Sequence, residues 1–191
     1  MKAPQPTAIS LTAASQTNVS CNGGSNGAAA VNAATGGAGG YTYNWTPGNP
    51  TGDGTVSVTG LTAGTWTCTV TDANACTASV NFTITQPSAL SFTAASQTNV
   101  SCNGGSNGTA SVTASGGTGP YTYAWAPLGG TAATATGLAV GVYTVTITDF
   151  NSCTRVRTAV VGQPAAISSS VTTTPTSCGA SNGSASVSAS G

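Results

Sequence analysis

Few side chains in this sequence can take part in acid–base or redox chemistry. The 191 residues include three acidic and three basic residues, six cysteines and no histidine. The acids are Asp53, Asp72 and Asp149, and no histidine, lysine or glutamate stands near them in the sequence as a catalytic partner. General acid–base catalysis needs a titratable group with a tuned pKa and a second group beside it. The composition therefore predicts a protein that is not an enzyme and uses no cofactor.

Two of these aspartates belong to a motif with the spacing of oxygen ligands. Asp72 and Asn74 stand two residues apart, and so do Asp149 and Asn151, as ligands do in calcium loops. Calcium takes roughly six to eight oxygens, and the rest of the loop pattern is missing. The four residues are weak metal candidates, and a hairpin turn stabilised by the aspartate side chain is the favoured interpretation.

The composition also argues against two classes of partner. Three lysine and arginine residues cannot form the basic patch that phosphate backbones require, so no nucleic-acid binding is expected. No apolar run approaches about eighteen residues, so no membrane span is predicted, and the first residues lack the apolar core of a signal peptide.

The sequence repeats itself. The segment from Ala8 to Gly27 returns almost unchanged 81 residues later, from Ala89 to Gly108, and again in degraded form from Ala166. A Gln-Pro dipeptide precedes each copy, and proline ends a strand and stiffens a short linker. The predicted organisation is a leader or linker at 1–7, repeats at 8–87 and 88–164, and a partial third repeat at 165–191.

Within each repeat, apolar residues alternate with threonine and serine. Alternation with period two predicts strands that have one buried and one solvated face. We expect strands near 8–14, 27–34, 41–46, 54–60, 65–71 and 76–85, with equivalents in the second repeat and only the first two in the third. The predicted fold is all-β, a tandem array of Ig-like (PKD-like) β-sandwich repeats, two complete and one partial.

Four motifs in a fixed order resemble a known family. They are Val-Ser-Cys-Asn-Gly-Gly-Ser-Asn-Gly, Gly-Gly-x-Gly-x-Tyr-x-Tyr-x-Trp, Leu-x-x-Gly-x-Tyr/Trp and Thr-Asp-x-Asn-x-Cys. In that order they resemble the SprB repeat family, and the Tyr-x-Trp and Gly-x-Tyr-x-Val pieces are similar to PKD domains. The resemblance implies a very large extracellular adhesin of gliding bacteria, exported by the type IX route, and implies no catalytic residues.

Cysteines recur at matching places in the two complete repeats. We expect disulfides between Cys21 and Cys76 and between Cys102 and Cys153, each closing a loop of about 50 residues. Reduced thiols are an alternative, and so is pairing of Cys76 with Cys102 and Cys153 with Cys178 across the joints. A seven-strand Ig order would place the first turn and the last hairpin at opposite ends, against the internal pairs. Cys68 stands where the second repeat has Val145, so it is expected to be a buried thiol.

The aromatic residues fall on the inward face of the predicted strands, which favours core packing over glycan stacking. They are Tyr43, Trp45, Trp66, Tyr123, Trp125 and Tyr143. Exposed candidates for ligand contact are the loop from Thr46 to Asp53, the Gly-Gly turns and Phe150.

Three functions are compatible with these features. The first is a structural and adhesive stalk segment of a bacterial cell-surface adhesin, in which each repeat contacts other repeats of the same or a neighbouring chain. The second is a subunit of an extracellular filament, in which another copy completes the partial third repeat by strand addition. The third is a glycan-binding module that contacts an external polysaccharide.

Overall fold

The chain is described here from a computed structural model that covers residues 7–191, with the side chain of Ala94 excepted. Nearly all of the predicted leader segment 1–7 lies outside the described residues. The described part contains fourteen β-strands. It contains no helix long and apolar enough to cross a membrane.

The first repeat consists of two three-stranded antiparallel sheets. One sheet has the order β1-β2-β4 and the other has the order β3-β5-β6. The strands are β1 (Ala13–Thr17), β2 (Gly27–Val31), β3 (Thr42–Thr46), β4 (Ser57–Leu61), β5 (Gly64–Thr71) and β6 (Thr77–Ile84). The two sheets enclose one core between them.

The second repeat has the same topology, with sheets β7-β8-β10 and β9-β11-β12. Its strands are β7 (Ser91–Thr98), β8 (Gly108–Ser115), β9 (Thr122–Ala126), β10 (Thr134–Leu138), β11 (Gly141–Thr148) and β12 (Thr154–Val161). Beyond it, β13 (Ser168–Thr174) and β14 (Ser184–Ser190) form a two-stranded ribbon whose residues are all exposed. The predicted all-β fold of Ig-like sandwich repeats, two complete and one partial, is confirmed.

The core of the first repeat is built by the inward members of the alternating strands. Trp45 is fully buried, and its ring centroid lies 5.5 Å from that of Phe82. The other core residues are Val19, Ala29, Val31, Val58, Leu61, Trp66, Cys68 and Ile84. Alternation therefore predicts the buried face correctly, because successive side chains of a strand point to opposite faces.

The first strand differs from the prediction. Strand β1 begins at Ala13, whereas the sequence pattern predicted a strand at 8–14, and Ser10 makes only an isolated bridge to Thr35. The register of β1 against β2 also shifts between Ala13 and Ser15. Ser10 and Thr12 nevertheless keep backbone hydrogen bonds to Thr35 and Asn32, so the pairing continues irregularly before β1.

Strands β1 and β6 lie side by side and run in the same direction. Gln16 donates to the Thr83 carbonyl at 3.2 Å, and Val19 donates its backbone N–H to the Thr85 carbonyl at 2.9 Å. The residue numbers of the contacts increase along both strands, from Gln16 with Thr83 to Val19 with Thr85, so the two strands are parallel. The turn after β1 therefore lies at the same end of the sandwich as the end of β6.

By its contacts the chain separates into two compact units. The first contains residues 7–91 together with Gly116–Pro120 and Asp149–Cys153, and the second contains the other described residues. The turn Asp149–Cys153 thus belongs to the first unit although its sequence lies in the second repeat.

Candidate functional site: the aspartate hairpins and the disulfide

The turn between β5 and β6 is organised around the carboxylate of Asp72. Its Oδ1 accepts the backbone N–H groups of Asn74 and Cys76, each at 2.9 Å, and its Oδ2 accepts that of Ala38 at 2.9 Å. These backbone hydrogen bonds lower the pKa of Asp72 below its ordinary value, and the bond from Ala38 has the largest effect. Burial acts in the opposite direction and raises the pKa. The aspartate thus acts as an acceptor that holds the hairpin turn against the Gly-Gly turn.

The second repeat builds the same turn around Asp149. Its Oδ1 accepts the backbone N–H groups of Asn151 and Cys153, and its Oδ2 accepts that of Thr118, all at 2.9 Å. Both oxygens are therefore occupied by backbone donors. The structure therefore contains the hairpin turn stabilised by its own aspartate that the sequence predicted.

The metal candidates Asp72, Asn74, Asp149 and Asn151 do not form a ligand cluster. Each turn brings one carboxylate to the site. Among residues 7–191 there is no group of three or more histidine, cysteine, aspartate or glutamate side chains that could hold a metal ion.

The Gly-Gly turns pack closely against the carboxylates of these aspartates. A Cβ atom at Gly37 would lie 2.5 Å from Asp72 Oδ2, and a Cβ at Gly117 would lie 2.6 Å from Asp149 Oδ2. Both glycines also have positive φ, +57° and +60°, which side chains disfavour. From the sequence the Gly-Gly turns are candidates for ligand contact, and their coupling to the aspartates is not predicted. The sequence contains one signal for this coupling, because the Gly-Gly motif and the Asp-x-Asn-x-Cys motif recur together in both repeats.

One disulfide is present, between Cys21 and Cys153. The two residues are 132 apart in sequence, and their Cα atoms are 5.8 Å apart. Asn151, two residues before Cys153, donates its side-chain N–H to the Ser20 carbonyl at 3.0 Å. In the chain-entropy view, closing a loop of this size stabilises the folded state by about 5 kcal/mol.

Neither expected disulfide, Cys21–Cys76 nor Cys102–Cys153, is in the structure, and the pairing across the joints is absent too. Cys76, Cys102 and Cys178 are free and exposed. Cys21 follows the end of β1, whereas Cys76 precedes the start of the parallel strand β6. The eight residues of β6 span about 25 Å, which a disulfide cannot bridge. A seven-strand order already implied this conflict, and the Cys21–Cys153 pair was not among the predicted pairings.

A family model gives an independent comparison for the turns that carry Cys21 and Cys102. Residues 13–50 and 94–130 match the model described as "SprB repeat". Two segments of the chain are thus similar to the SprB repeat. The resemblance stated from the sequence motifs is thereby confirmed. The matched segments span β1 to β3 and β7 to β9, and the hairpin cysteines Cys76 and Cys153 lie outside them.

Comparison of the whole chain with other proteins gives only distant similarity. No curated protein matches its sequence. Among solved structures it is similar to the C-terminal fragment of intimin bound to the intimin-binding domain of its translocated receptor. The identity is 16%, the match covers 89% of this chain and 67% of that one, and the TM-score is 0.42. Immunoglobulin domains 1–5 of Sidekick-1 give 12% identity, coverage of 91% and 42%, and a TM-score of 0.39. Nothing about function follows from similarity at this level.

The aromatic residues of the two complete repeats pack inward, as predicted. Trp45, Trp66, Trp125 and Tyr143 are buried, and Tyr43 and Tyr123 are half-buried. The indole N–H groups of Trp45 and Trp125 donate to the carbonyls of Thr55 and Ala132, both at 2.9 Å. These rings are therefore part of the core and offer no stacking platform for a sugar.

Cys68 is the buried thiol that the comparison with Val145 predicted. It is fully buried, and Val145 is 1% exposed. Burial, with a smaller contribution from the negative charge of Asp53, raises the pKa of Cys68 to about 11. Such a thiol is a poor nucleophile and behaves as an apolar side chain.

The loop from Thr46 to Asp53 is mostly exposed, but its last residue is structural. Asp53 Oδ1 accepts the backbone N–H of Trp45 at 2.8 Å and that of Gly54 at 2.9 Å. Phe150 is 69% exposed at its hairpin tip. Phe150 is the exposed aromatic side chain among these ligand-contact candidates.

Proposed function

We propose that this chain is a non-enzymatic structural segment of a large bacterial cell-surface adhesin. The observation that carries the proposal is the pairing of tandem sandwich repeats with a disulfide that joins residues 132 apart in sequence. Disulfides persist in oxidising, extracellular environments, and repeat arrays are suited to spanning distance. The SprB-repeat segments are in keeping with an exported protein that takes part in gliding motility or surface attachment, with export by the type IX route.

The proposed role is to extend a binding surface from the cell and to bear load. A formal net charge of zero means that electrostatic steering contributes little to attachment. Contact with an external surface or polysaccharide would then depend on polar and apolar loop residues, of which the Thr46–Asp53 loop and Phe150 are the candidates.

The location is tested on intact cells that produce the parent protein. An antiserum raised against the purified chain should label unpermeabilised cells, and external protease should remove the label and reduce attachment. Label that appears only after permeabilisation would contradict the proposal. Label without any change in attachment would support a surface location but contradict the adhesive role.

A second candidate, a self-assembling filament subunit, is favoured by the ribbon of β13 and β14. In both complete repeats the corresponding pair is joined by a third strand, β4 or β10, and among the described residues no third strand pairs with the ribbon. Val171 and Val187 face each other across the ribbon and are 62% and 69% exposed. Val187 corresponds to Val31 and Val112, which are both buried. Light scattering under reducing conditions distinguishes the candidates, because a filament subunit assembles without disulfides and a stalk segment stays at 18.2 kDa.

A further inference from the structure

A large core side chain of the first repeat is missing from the second. Phe82 corresponds to Ala159, since each lies two residues before the end of the last strand and pairs in the same register with the strand before it. Phe82 is 3% exposed, and its ring packs on that of Trp45. Alanine has no side chain beyond Cβ, so Ala159 cannot make the same contact with Trp125.

A cavity of about 100 Å³ lies at the place that this ring would fill. Its inner wall is formed by Trp125, Val145 and Ala159. Their counterparts in the first repeat, Trp45 among them, belong to one packed cluster. Trp125 is 7% exposed whereas Trp45 is fully buried, so the cavity opens the core of the second repeat towards solvent.

The mouth of the cavity is polar. Ser96 and Ser111 come from the sheet β7-β8-β10 and share a hydrogen bond between their hydroxyl groups at 2.7 Å, and Arg157 comes from the other sheet. Ser111 and Arg157 stand where the first repeat has Ala30 and Val80. The second repeat thus has extra polar groups at the place where it lacks the ring.

Arg157 contributes a positive charge to this mouth. Its guanidinium carbon lies 5.6 Å from the ring centroid of Phe92, whose counterpart in the first repeat is Leu11. The ring holds the guanidinium by a cation–π contact and does not neutralise it. Asp149 is the only acidic residue between positions 88 and 164, and its oxygens already accept three backbone N–H groups. The guanidinium is therefore available to an anion.

From this combination we propose that the second repeat binds a small aromatic carboxylate. The ring of the ligand occupies the cavity in place of the missing phenylalanine ring and packs on Trp125. Its carboxylate lies at the mouth, where Arg157 can donate two parallel hydrogen bonds to it. The first repeat, in which Phe82 and Val80 take these positions, does not bind the ligand. The site does not depend on the chain acting as an adhesin.

The size of the cavity limits the ligand to a single ring. A closed apolar cavity of about 150 Å³ admits benzene. The cavity beside Trp125 is smaller but open, so a single ring can enter with its substituted edge still at the mouth, and a fused ring system cannot. Phenylacetate, a phenyl ring with a carboxylate on a short arm, meets both requirements.

The test is a titration of the full chain with phenylacetate at neutral pH, followed by NMR. The indole N–H signal of Trp125 should shift with a dissociation constant of about 1 mM, a value in keeping with so small a ligand. The signal of Trp45 should stay in place and serves as the internal control. A Trp125 signal that does not saturate by about 10 mM, or equal shifts at both tryptophans, would overturn the proposal.

The contribution of the charge is tested with a matched pair of variants. Arg157→Val installs the residue found at 80 and should weaken phenylacetate binding about tenfold, while binding of the neutral analogue benzyl alcohol stays unchanged. Arg155→Val removes the same charge from a residue that does not line the cavity, and should change the affinity by less than about twofold. Equal losses in the two variants would contradict a direct contact with Arg157.

The contribution of the cavity is tested by filling it. Ala159→Phe restores the ring of the first repeat and should abolish binding of both phenylacetate and benzyl alcohol. Ala159→Leu is a smaller replacement that tests the same point if the first variant does not fold. Unchanged affinity for phenylacetate in a folded variant of either kind would show that the ligand does not enter the cavity and would overturn the proposal.

Discussion

Asp72 and Asp149 show how an acidic residue can be essential to a fold without being catalytic. Each carboxylate accepts three backbone N–H groups, two from its own hairpin and one from the Gly-Gly turn. In Asp72 these bonds stabilise the charged form of the acid and lower its pKa. The aspartates therefore connect two loops that are far apart in sequence.

The lowered pKa of Asp72 predicts a loss of stability in acid. A carboxyl whose pKa is depressed in the folded state stabilises the fold above its unfolded pKa of about 4, and that stability is lost as the pH falls through the folded value. Asp72→Asn should be less stable at pH 7 and should lose less stability on acidification. Urea unfolding between about pH 2 and pH 7 measures both. Parallel pH profiles for the variant and the parent protein would contradict this role.

The buried thiol of Cys68 should be unreactive while the protein is folded. With a pKa of about 11, only about one thiol in a thousand is ionised at pH 8, and burial blocks access. A thiol reagent should label Cys76, Cys102 and Cys178 at once and Cys68 only after unfolding, as mass spectrometry would show. Cys68→Val, which installs the residue found at 145, should change the free energy of unfolding by less than about 1.5 kcal/mol. Rapid labelling of Cys68 in the folded protein would contradict the burial.

At the level of the elements, the Gly-Gly turn and the hairpin act as one unit. Ala73 also donates its backbone N–H to the Gly39 carbonyl at 2.9 Å, so the two loops are joined by backbone and side-chain bonds. A glycine is needed at 37 for two reasons, its positive φ and the closeness of the Asp72 carboxylate and the Ile9 side chain.

A pair of alanine substitutions separates these two reasons. Gly37→Ala places a Cβ 2.5 Å from Asp72 Oδ2 and 2.8 Å from Ile9 Cγ1, whereas Gly39→Ala has a similar φ of +72° with nothing within 4 Å. Both should lose about 1 kcal/mol from backbone strain, and Gly37→Ala should lose at least about 1 kcal/mol more. Chemical unfolding at neutral pH gives both values. Equal losses would show that the contact with Asp72 contributes nothing.

Most of the strands could be predicted from the alternation of apolar and polar residues. Which strand ends lie close together in space could not be predicted in this way. The patterns at 41–46, 65–71 and 76–85 closely match β3, β5 and β6, because one buried and one solvated face impose period two. The pairing of Cys21 could not be read this way, since it depends on β1 and β6 being parallel neighbours. Nothing in the local pattern of either strand encodes that relation. The repeat boundaries at 87 and 164 stay predictions.

For the whole molecule, the decisive feature is the covalent loop from Cys21 to Cys153. When the chain is pulled from its ends, the disulfide carries the force past every residue inside that loop. Those residues include strands β2 to β11. If the enclosed strands unfold, the distance between the two ends of the chain does not increase, because the disulfide still joins Cys21 to Cys153. This property is useful in a stalk that bears load.

Single-molecule force spectroscopy of the full chain, tethered at its two termini, tests this account most directly. The separation of 132 residues corresponds to about 450 Å of extended chain that the disulfide withholds. The oxidised protein should therefore reach a final contour length shorter by about 450 Å than the Cys21→Ser variant. The control Cys102→Ser, which keeps the disulfide, should match the oxidised parent protein. Equal contour lengths for the oxidised protein and Cys21→Ser would contradict the central claim that this disulfide braces the repeats against force.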